Sequence, residues 1–246
     1  MTAPVPEPIP ELTTQPRYFD LILAAFAVTL VVSNIASTKV ATLELGVWKP
    51  VFDGGTFLFP LTYIFGDVLT EVYGYARSRR VIWFGMGSSL ISSLIFGAVT
   101  LLPTDPSSPT KGAFESVLGF VPQIVLASLA AFFVGEFLNA FVLAKLKVAT
   151  RGRWLWTRTI GSTLIGQAAD TLIFTLLAFG FGPYALPRDV LWQVVVFNYV
   201  YKVALEVVLT PVTYWVVGFL KRAEGMDVFD TKTDFNPFKL GSSKAA

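Results

Sequence analysis

Six runs of mostly apolar residues, separated by short polar connections, constrain this chain more than any other feature. They cover Tyr18 to about Val40, Phe57 to Ala76, Val81 to Leu102, Val121 to Ala144, Thr159 to Phe179 and Gln193 to Phe219. At 1.5 Å rise per residue a run of about 20 residues crosses roughly 30 Å of hydrocarbon as a helix. Of the 246 residues, 15% are charged, against about a quarter in a water-soluble domain. Too few charges remain to cover a soluble surface. The expected fold class is an all-α integral membrane protein, a six-transmembrane-helix bundle.

Prolines mark several ends of these runs: Pro103, Pro106 and Pro109 close the third, Pro122 opens the fourth, and Pro183 and Pro187 precede the sixth. The expected organisation is a disordered cytoplasmic lead over 1–17, a transporter domain over 18–220 and a cytoplasmic tail over 221–246. The proline-rich lead lacks the basic start and cleavage site of a signal peptide. Basic residues are distributed very unevenly. Arg17, Arg77, Arg79, Arg80, Lys145, Lys147, Arg151, Arg153, Arg158, Lys221, Arg222, Lys232, Lys239 and Lys244 fall on one side, against Lys49, Lys111 and Arg188 on the other. By the positive-inside rule both termini are cytoplasmic. Trp48, Trp83, Trp154, Trp156, Trp192 and Trp215 are expected at the interfaces. Three spans followed by three spans enter the bilayer with opposite polarity, so two inverted three-helix halves are an open option, with Asn34 answering to Asn139 and Asp67 to Asp170.

A charge at the middle of a membrane helix costs about 2.5 to 3.5 kcal/mol, so each one needs a partner, a cavity or a ligand. Seven fall within the runs: Asp67, Glu71, Glu136, Asp170 and Glu206, with Lys39 and Lys202. Asp67 and Glu71 are four apart, on one helical face. Glu71 reads either as a cavity residue or as the structural partner of Arg77 or Arg79. Asn198, Lys202 and Glu206 form an i, i+4, i+8 row in the run that contains Pro211. They either line a cavity beside a bend or include a self-neutralising Lys202–Glu206 pair. Glu136 and Asn139 share a face in the fourth run, and Ser162, Gly166, Gln167 and Asp170 occupy adjoining positions in the fifth. Gly85, Ser89, Ser93 and Gly97 recur every four residues in the third, a small-residue seam for internal packing or for a homodimer face.

Zero cysteine and zero histidine remove thiolate and imidazole chemistry, Cys and His metal sites and His proton relays. No phosphate-binding glycine loop is present, and no enzyme activity, metal or cofactor is expected. Nucleic acid is not expected at a net charge of +2. Carboxylates that accept paired N–H donors, carboxamides that both donate and accept, and 22 Phe with 8 Tyr suit a planar nitrogen heterocycle. An inorganic cation is the competing solute, which leaves an ion-conducting or purely structural membrane protein as another class.

Phe59-Pro60-Leu61-Thr62-Tyr63-Ile64 and Asp67-Val68-Leu69-Thr70-Glu71-Val72-Tyr73-Gly74, with Ala76-Arg77 following, resemble the signature of the queuosine precursor transporter family, related to the vitamin-uptake transporters. Asn34 with Lys39, Arg158 ahead of Ser162-Thr163 and Asp170, Lys202 with Glu206, and the tail segments Glu224-Gly225-Met226-Asp227 and Phe235-Asn236-Pro237-Phe238 are similar to that family as well. The resemblance covers roughly residues 18 to 238. It implies a bacterial inner-membrane importer of 7-deazaguanine bases, chiefly 7-cyano-7-deazaguanine and its 7-aminomethyl relative, with membrane lipid as its surroundings. It carries Asn34, Lys39, Asp67, Glu71, Asp170, Lys202 and Glu206 into the solute site. The helix faces add Glu136, Asn139, Gln167 and Asn198. Asp67 or Asp170 is the expected acceptor of the base's N–H and amino protons. The alternative is the substrate-binding subunit of a larger ATP-driven assembly.

Overall fold

The computed structural model describes residues 16–44, 49–109, 112–182, 185–231 and 233–239. Expectations for the lead before residue 16 and for Trp48, Lys111, Pro183, Lys232 and Lys244 lie outside the described residues. Each of the six apolar runs contains a helix: α1 (Phe19–Ala36), α2 (Phe59–Tyr73), α3 (Tyr75–Thr100), α5 (Val121–Ala149), α6 (Leu155–Phe179) and α7 (Arg188–Glu224), with a short α4 (Ala113–Leu118) leading into α5. The chain is an all-α membrane bundle with one small addition. Between α1 and α2, strands β1 (Val40–Thr42) and β2 (Val51–Asp53) pair antiparallel and run into a 3₁₀ turn, Gly54–Phe57.

That hairpin corrects the first span, which stops at Ala36 and not near Val40. The Ser37 hydroxyl donates to the Ser33 carbonyl at 3.0 Å and the Thr38 hydroxyl to that of Ile35 at 2.8 Å. Helix-end carbonyls are satisfied by side chains, and Val40 is released to pair with Asp53. Lys39 therefore sits in the turn, exposed, not within a span.

Among the described residues five helical segments are long and apolar enough to cross a membrane: α1, α3, α4 with α5, α6 and α7. The sixth, α2, has 15 residues, roughly 22 Å at 1.5 Å each, and 12 of them are buried. It is held inside the bundle by its neighbours. Gly74, with φ of +82°, is the only residue between α2 and α3, and a Cβ there would meet the Val228 side chain at 2.6 Å. The two halves are unequal, since α2 corresponds in order to the 25-residue α6 and α3 to the 37-residue α7. Helix α7 continues unbroken through Pro211.

Polarity is inverted relative to a water-soluble protein. Asp67, Glu71, Glu136, Asn139 and Gln167 are 0% exposed, whereas Leu94 is 64% and Val208 69% exposed. An apolar exterior over a polar interior is stable only against hydrocarbon. Trp154, Trp156, Trp192 and Trp215 are exposed, but Trp83 turns inward and donates to the Pro237 carbonyl at 2.7 Å. Glu224 accepts from the backbone N–H groups of Arg17 and Tyr18 at 2.7 Å each, which places the start of α1 and the end of α7 at one end of the bundle. We refer to this as the terminal end, and to the other as the hairpin end.

The small-residue seam packs within the molecule. A Cβ on Gly85 would stand 2.5 Å from the Phe26 ring of α1, Ser89 accepts from Asn34 at 3.3 Å, and Ser93 is buried; only Gly97 faces open space. Its contacts at Gly85, Ser89 and Ser93 are those of close helix packing inside one protomer.

Candidate functional site

The buried polar residues separate into three groups stacked between the two ends. At the hairpin end, Asp53 is buried, forms no salt bridge among the described residues, and is held by hydrogen bonds instead. Its carboxylate accepts from Ser37 Oγ (2.8 Å), the Gly55 N–H (2.9 Å) and Asn198 Nδ2 (2.9 Å), while the Thr56 hydroxyl stands 3.0 Å from both Asp53 Oδ2 and Asn198 Oδ1. This network ties the end of α1, the 3₁₀ turn and α7 together. Asn198 belongs here and not beside the central acids.

The terminal end is closed by ions. Arg158 of α6 grips Glu71 of α2 with two bonds, Nε to Oε2 at 2.8 Å and Nη2 to Oε1 at 2.7 Å, the fork geometry that makes guanidinium–carboxylate pairs strong. Lys221 reaches the same Oε1 at 2.6 Å and Asp227 at 2.9 Å. Lys147 donates to the Glu71 carbonyl (2.6 Å), to Asp227 (2.7 Å) and to the Val228 carbonyl (2.6 Å). Glu71 is thus a structural ion-pair residue here, but its partners are not Arg77 or Arg79. Arg77 approaches the Met226 sulfur, and Arg79 donates to the Asp234 and Asn236 carbonyls. The tail after Gly225 lies across this end, with Asp230 accepting from the Tyr75 N–H at 3.0 Å and Phe235 packed on Tyr75 at 4.9 Å. Burial raises the Asp227 carboxyl, but hydrogen bonds from Lys147 and Lys221 outweigh it and hold the group below the usual carboxylate range.

Between these two closures four helices meet. Asn139 of α5 donates to Asp67 Oδ1 at 2.8 Å, and Lys202 of α7 pairs with Asp170 of α6 at 2.9 Å while lying 5.2 Å from the Phe59 ring centroid. The Lys202–Glu206 pair is not formed. Asp67 stands beside Glu206, and Glu136 lies within electrostatic reach of Asp170 and Glu206. Room for Glu136 is made by Gly66, where a Cβ would be 1.9 Å from Oε1. Tyr63 fills the contact between α5 and α6: a Cβ on Gly135 would stand 2.5 Å from its hydroxyl and 2.7 Å from the Asp170 Cβ.

What sets this middle group apart is incompleteness. Both oxygens of Glu136 and of Glu206, Asp67 Oδ2, both polar atoms of Gln167, Asn139 Oδ1 and the Tyr63 hydroxyl are buried without a hydrogen-bond partner. A buried polar group left unpaired costs about 1–3 kcal/mol. Four carboxyls share one lysine, so the set needs protons or donors from elsewhere. Such a cluster is poorly suited to stability and well suited to receiving a solute that brings N–H groups.

The structure therefore brings together Asp67, Glu136, Asn139, Asp170, Lys202 and Glu206, with Gln167 buried three residues before Asp170 on α6. It leaves out Lys39, Glu71 and Asn198, and Asn34, which faces Ser89 of α3 beside a void of about 10 Å³. Asp53, Tyr63, Lys147 and Arg158 join the described networks without having been singled out as site residues. A larger cleft of about 610 Å³, lined by Trp192, Gln193, Phe197 and Tyr201, opens on the face of α7 opposite the buried Asn198–Lys202–Glu206 row.

A family model described as "Putative vitamin uptake transporter" matches residues 53–216, from the hairpin-end carboxylate through most of α7. The "Probable queuosine precursor transporter" of Bacillus subtilis (strain 168) is 32% identical over 161 residues, 65% of this chain and 69% of its own length. The "Queuosine precursor transporter" of Escherichia coli (strain K12) is 28% identical over 163 residues, 66% and 71%. That of Haemophilus influenzae is 27% identical over 166 residues, 66% and 67%. No solved structure gives a significant match. With two thirds of its length matched by that model, and the polar groups of the bundle falling mainly inside the matched region, the chain belongs to the queuosine precursor transporter family.

Proposed function

We propose that this protein imports queuosine precursors, 7-deazaguanine bases such as 7-cyano-7-deazaguanine, across the bacterial inner membrane, with its terminal end in the cytoplasm. The names of its relatives support the class of solute, and the basic residues gathered at the terminal end support the orientation. The observation that carries the reading is a buried glutamate with both oxygens free, Glu136, beside the carboxyl pair Asp67–Glu206.

A guanine-like edge presents a ring N–H beside an amino group, and one carboxylate accepts both. Asp170 is engaged by Lys202, and Asp67 by Asn139 and Glu206, so the paired acceptor in this reading is Glu136 and not the aspartates expected from sequence. Gln167, with a free amide donor and acceptor, would meet the base's carbonyl, and Tyr63, packed between α5 and α6, would supply a flat ring. The Asp53 and Glu71 networks close the two ends. Import opens the first while the second holds, then the reverse, as opposed helix groups rock about the central site.

Uptake of 7-cyano-7-deazaguanine by the purified protein in liposomes tests the proposal, with Glu136→Gln and Glu206→Gln as site variants. Saturable uptake by the native chain alone, lost in at least one of the two variants, is the expected result. Uptake that appears only with an added ATPase would make the chain a capture subunit, and no binding of the base at all would refute the solute assignment.

A further inference from the structure

Helix α6 carries, on either side of Gln167, buried polar atoms that the central group described above does not use. Thr163, Gln167, Thr171 and Thr175 recur every four residues, each is at most 1% exposed, and the side-chain polar atoms of all four have no hydrogen-bond partner. A threonine in a helix ordinarily returns its hydroxyl proton to the carbonyl three or four residues back. This chain follows that habit elsewhere: Thr157, Thr159 and Ser162 in the same helix, and Thr210 and Thr213 in α7, all donate to such carbonyls. The three threonines around Gln167 do not. Their spacing spans roughly 18 Å of helix axis, more than half of a hydrocarbon core. The row starts one turn beyond Arg158 of the terminal-end network and ends four residues short of the helix's hairpin end.

We propose that Thr163, Gln167, Thr171 and Thr175 line the route by which the solute passes through the protein, a ladder offering one hydroxyl or amide per turn to a planar, hydrogen-bonding base. This extends the transport reading above and rests on it. A moving solute is best met by groups whose hydrogen bonds are individually weak and repeated, since a strong single site would hold it. Hydroxyls left uncommitted in the closed state meet that requirement, because each can turn to donate or accept without first breaking a bond to the helix.

The chain has no cysteine, so single thiols can be introduced without background. Thr163→Cys, Gln167→Cys, Thr171→Cys and Thr175→Cys are placed in the full chain in membrane vesicles and exposed to a small, charged, membrane-impermeant methanethiosulfonate. Ile165→Cys and Leu172→Cys, on the lipid-exposed side of the same helix, are the controls. Thiols on a wet route ionise and react, on the order of tenfold faster than thiols in lipid. The ladder positions are expected to show that excess, Thr175→Cys preferentially from the hairpin side and Thr163→Cys from the terminal side, with 7-cyano-7-deazaguanine slowing the reaction. In parallel, Thr171→Val removes one hydroxyl at constant shape. A structural hydroxyl without a partner is better removed, so the melting temperature stays or rises. On the route its loss raises the apparent KM roughly two- to tenfold, the equivalent of one ordinary hydrogen bond. Ladder thiols as inert as the controls in a protein that transports, or valine variants with unchanged uptake kinetics, would overturn the inference. Reactive ladder thiols in a protein that ignores the base would leave the route standing and remove only the solute assignment.

Discussion

Replacing Glu71 by Gln tests the claim that this acid holds the terminal end together and does not touch the solute. In the native protein its carboxylate takes two bonds from Arg158 and one from Lys221, with Lys147 at 3.7 Å. Only Asp227 is then left to balance three cations. Lys147 keeps Asp227 and two carbonyls, and Lys221 keeps Asp227, so they are the lesser losers. Arg158 keeps the bond from Nη1 to the Arg153 carbonyl and at most one bond to the new carboxamide oxygen, and its buried guanidinium loses its counter-charge. Removing one partner of a buried pair costs about 3–5 kcal/mol. For a protein of this size each kcal/mol lowers the melting temperature by about 2–4 °C, so a fall of about 10 °C is expected. The six tryptophans give an intrinsic fluorescence signal for melting the detergent-purified protein. Adding Arg158→Leu to the same chain restores part of the loss by deleting the stranded charge, while affinity for the base well below the melting temperature is kept. A melting temperature unchanged within about 2 °C, together with loss of base binding, would refute the reasoning and return Glu71 to the solute site.

Three further outcomes are expected. Gly66→Ala brings a methyl to within 1.9 Å of Glu136 Oε1 and forces the carboxylate aside; uptake in liposomes falls much further than the melting temperature, whereas equal losses would mean general misfolding. Thr56→Cys with Asn198→Cys places thiols across the hairpin-end network, where the native side chains meet at 3.0 Å; oxidation blocks uptake and reductant restores it, and uptake that survives the cross-link would show that this end need not open. Asp227, held below its ordinary range, contributes stability that is present above the unfolded carboxyl value near 3.9 and is lost as pH falls through its lower folded value. Melting temperature against pH should therefore lose part of its acid slope below about pH 4 in Asp227→Asn, and an identical slope would remove Asp227 from the terminal-end network.

The apolar runs located every long helix, because a requirement for about 20 lipid-compatible residues leaves a mark in sequence that little else imitates. The central acids were legible for the same reason: carboxylates in such runs are costly unless grouped, and spacing of four placed them on common faces. Partnership was not legible. Lys147 and Arg158 read as loop charges because their partner, Glu71, is 76 and 87 residues away. Asp53 lies outside the apolar runs, and its partner Asn198, 2.9 Å away in space, is 145 residues away in sequence. Lys39 was misplaced because a helix end set by Ser37 and Thr38 has no apolar signature. The threonine ladder was hidden for another reason: a hydroxyl in a helix is normally satisfied locally, so its sequence position says nothing about whether it is free.

Helix α2 is surrounded on nearly every side by protein, with 12 of its 15 residues buried. Helices that touch acyl chains must keep oily side chains outward, and that demand consumes most of their choices. A short inner helix is exempt. Along Tyr63, Gly66, Asp67 and Glu71 each position answers to a particular neighbouring group instead of to solvent quality, so substitution there is judged one contact at a time. The part of the sequence screened from lipid is thereby the part whose side chains answer to protein contacts alone.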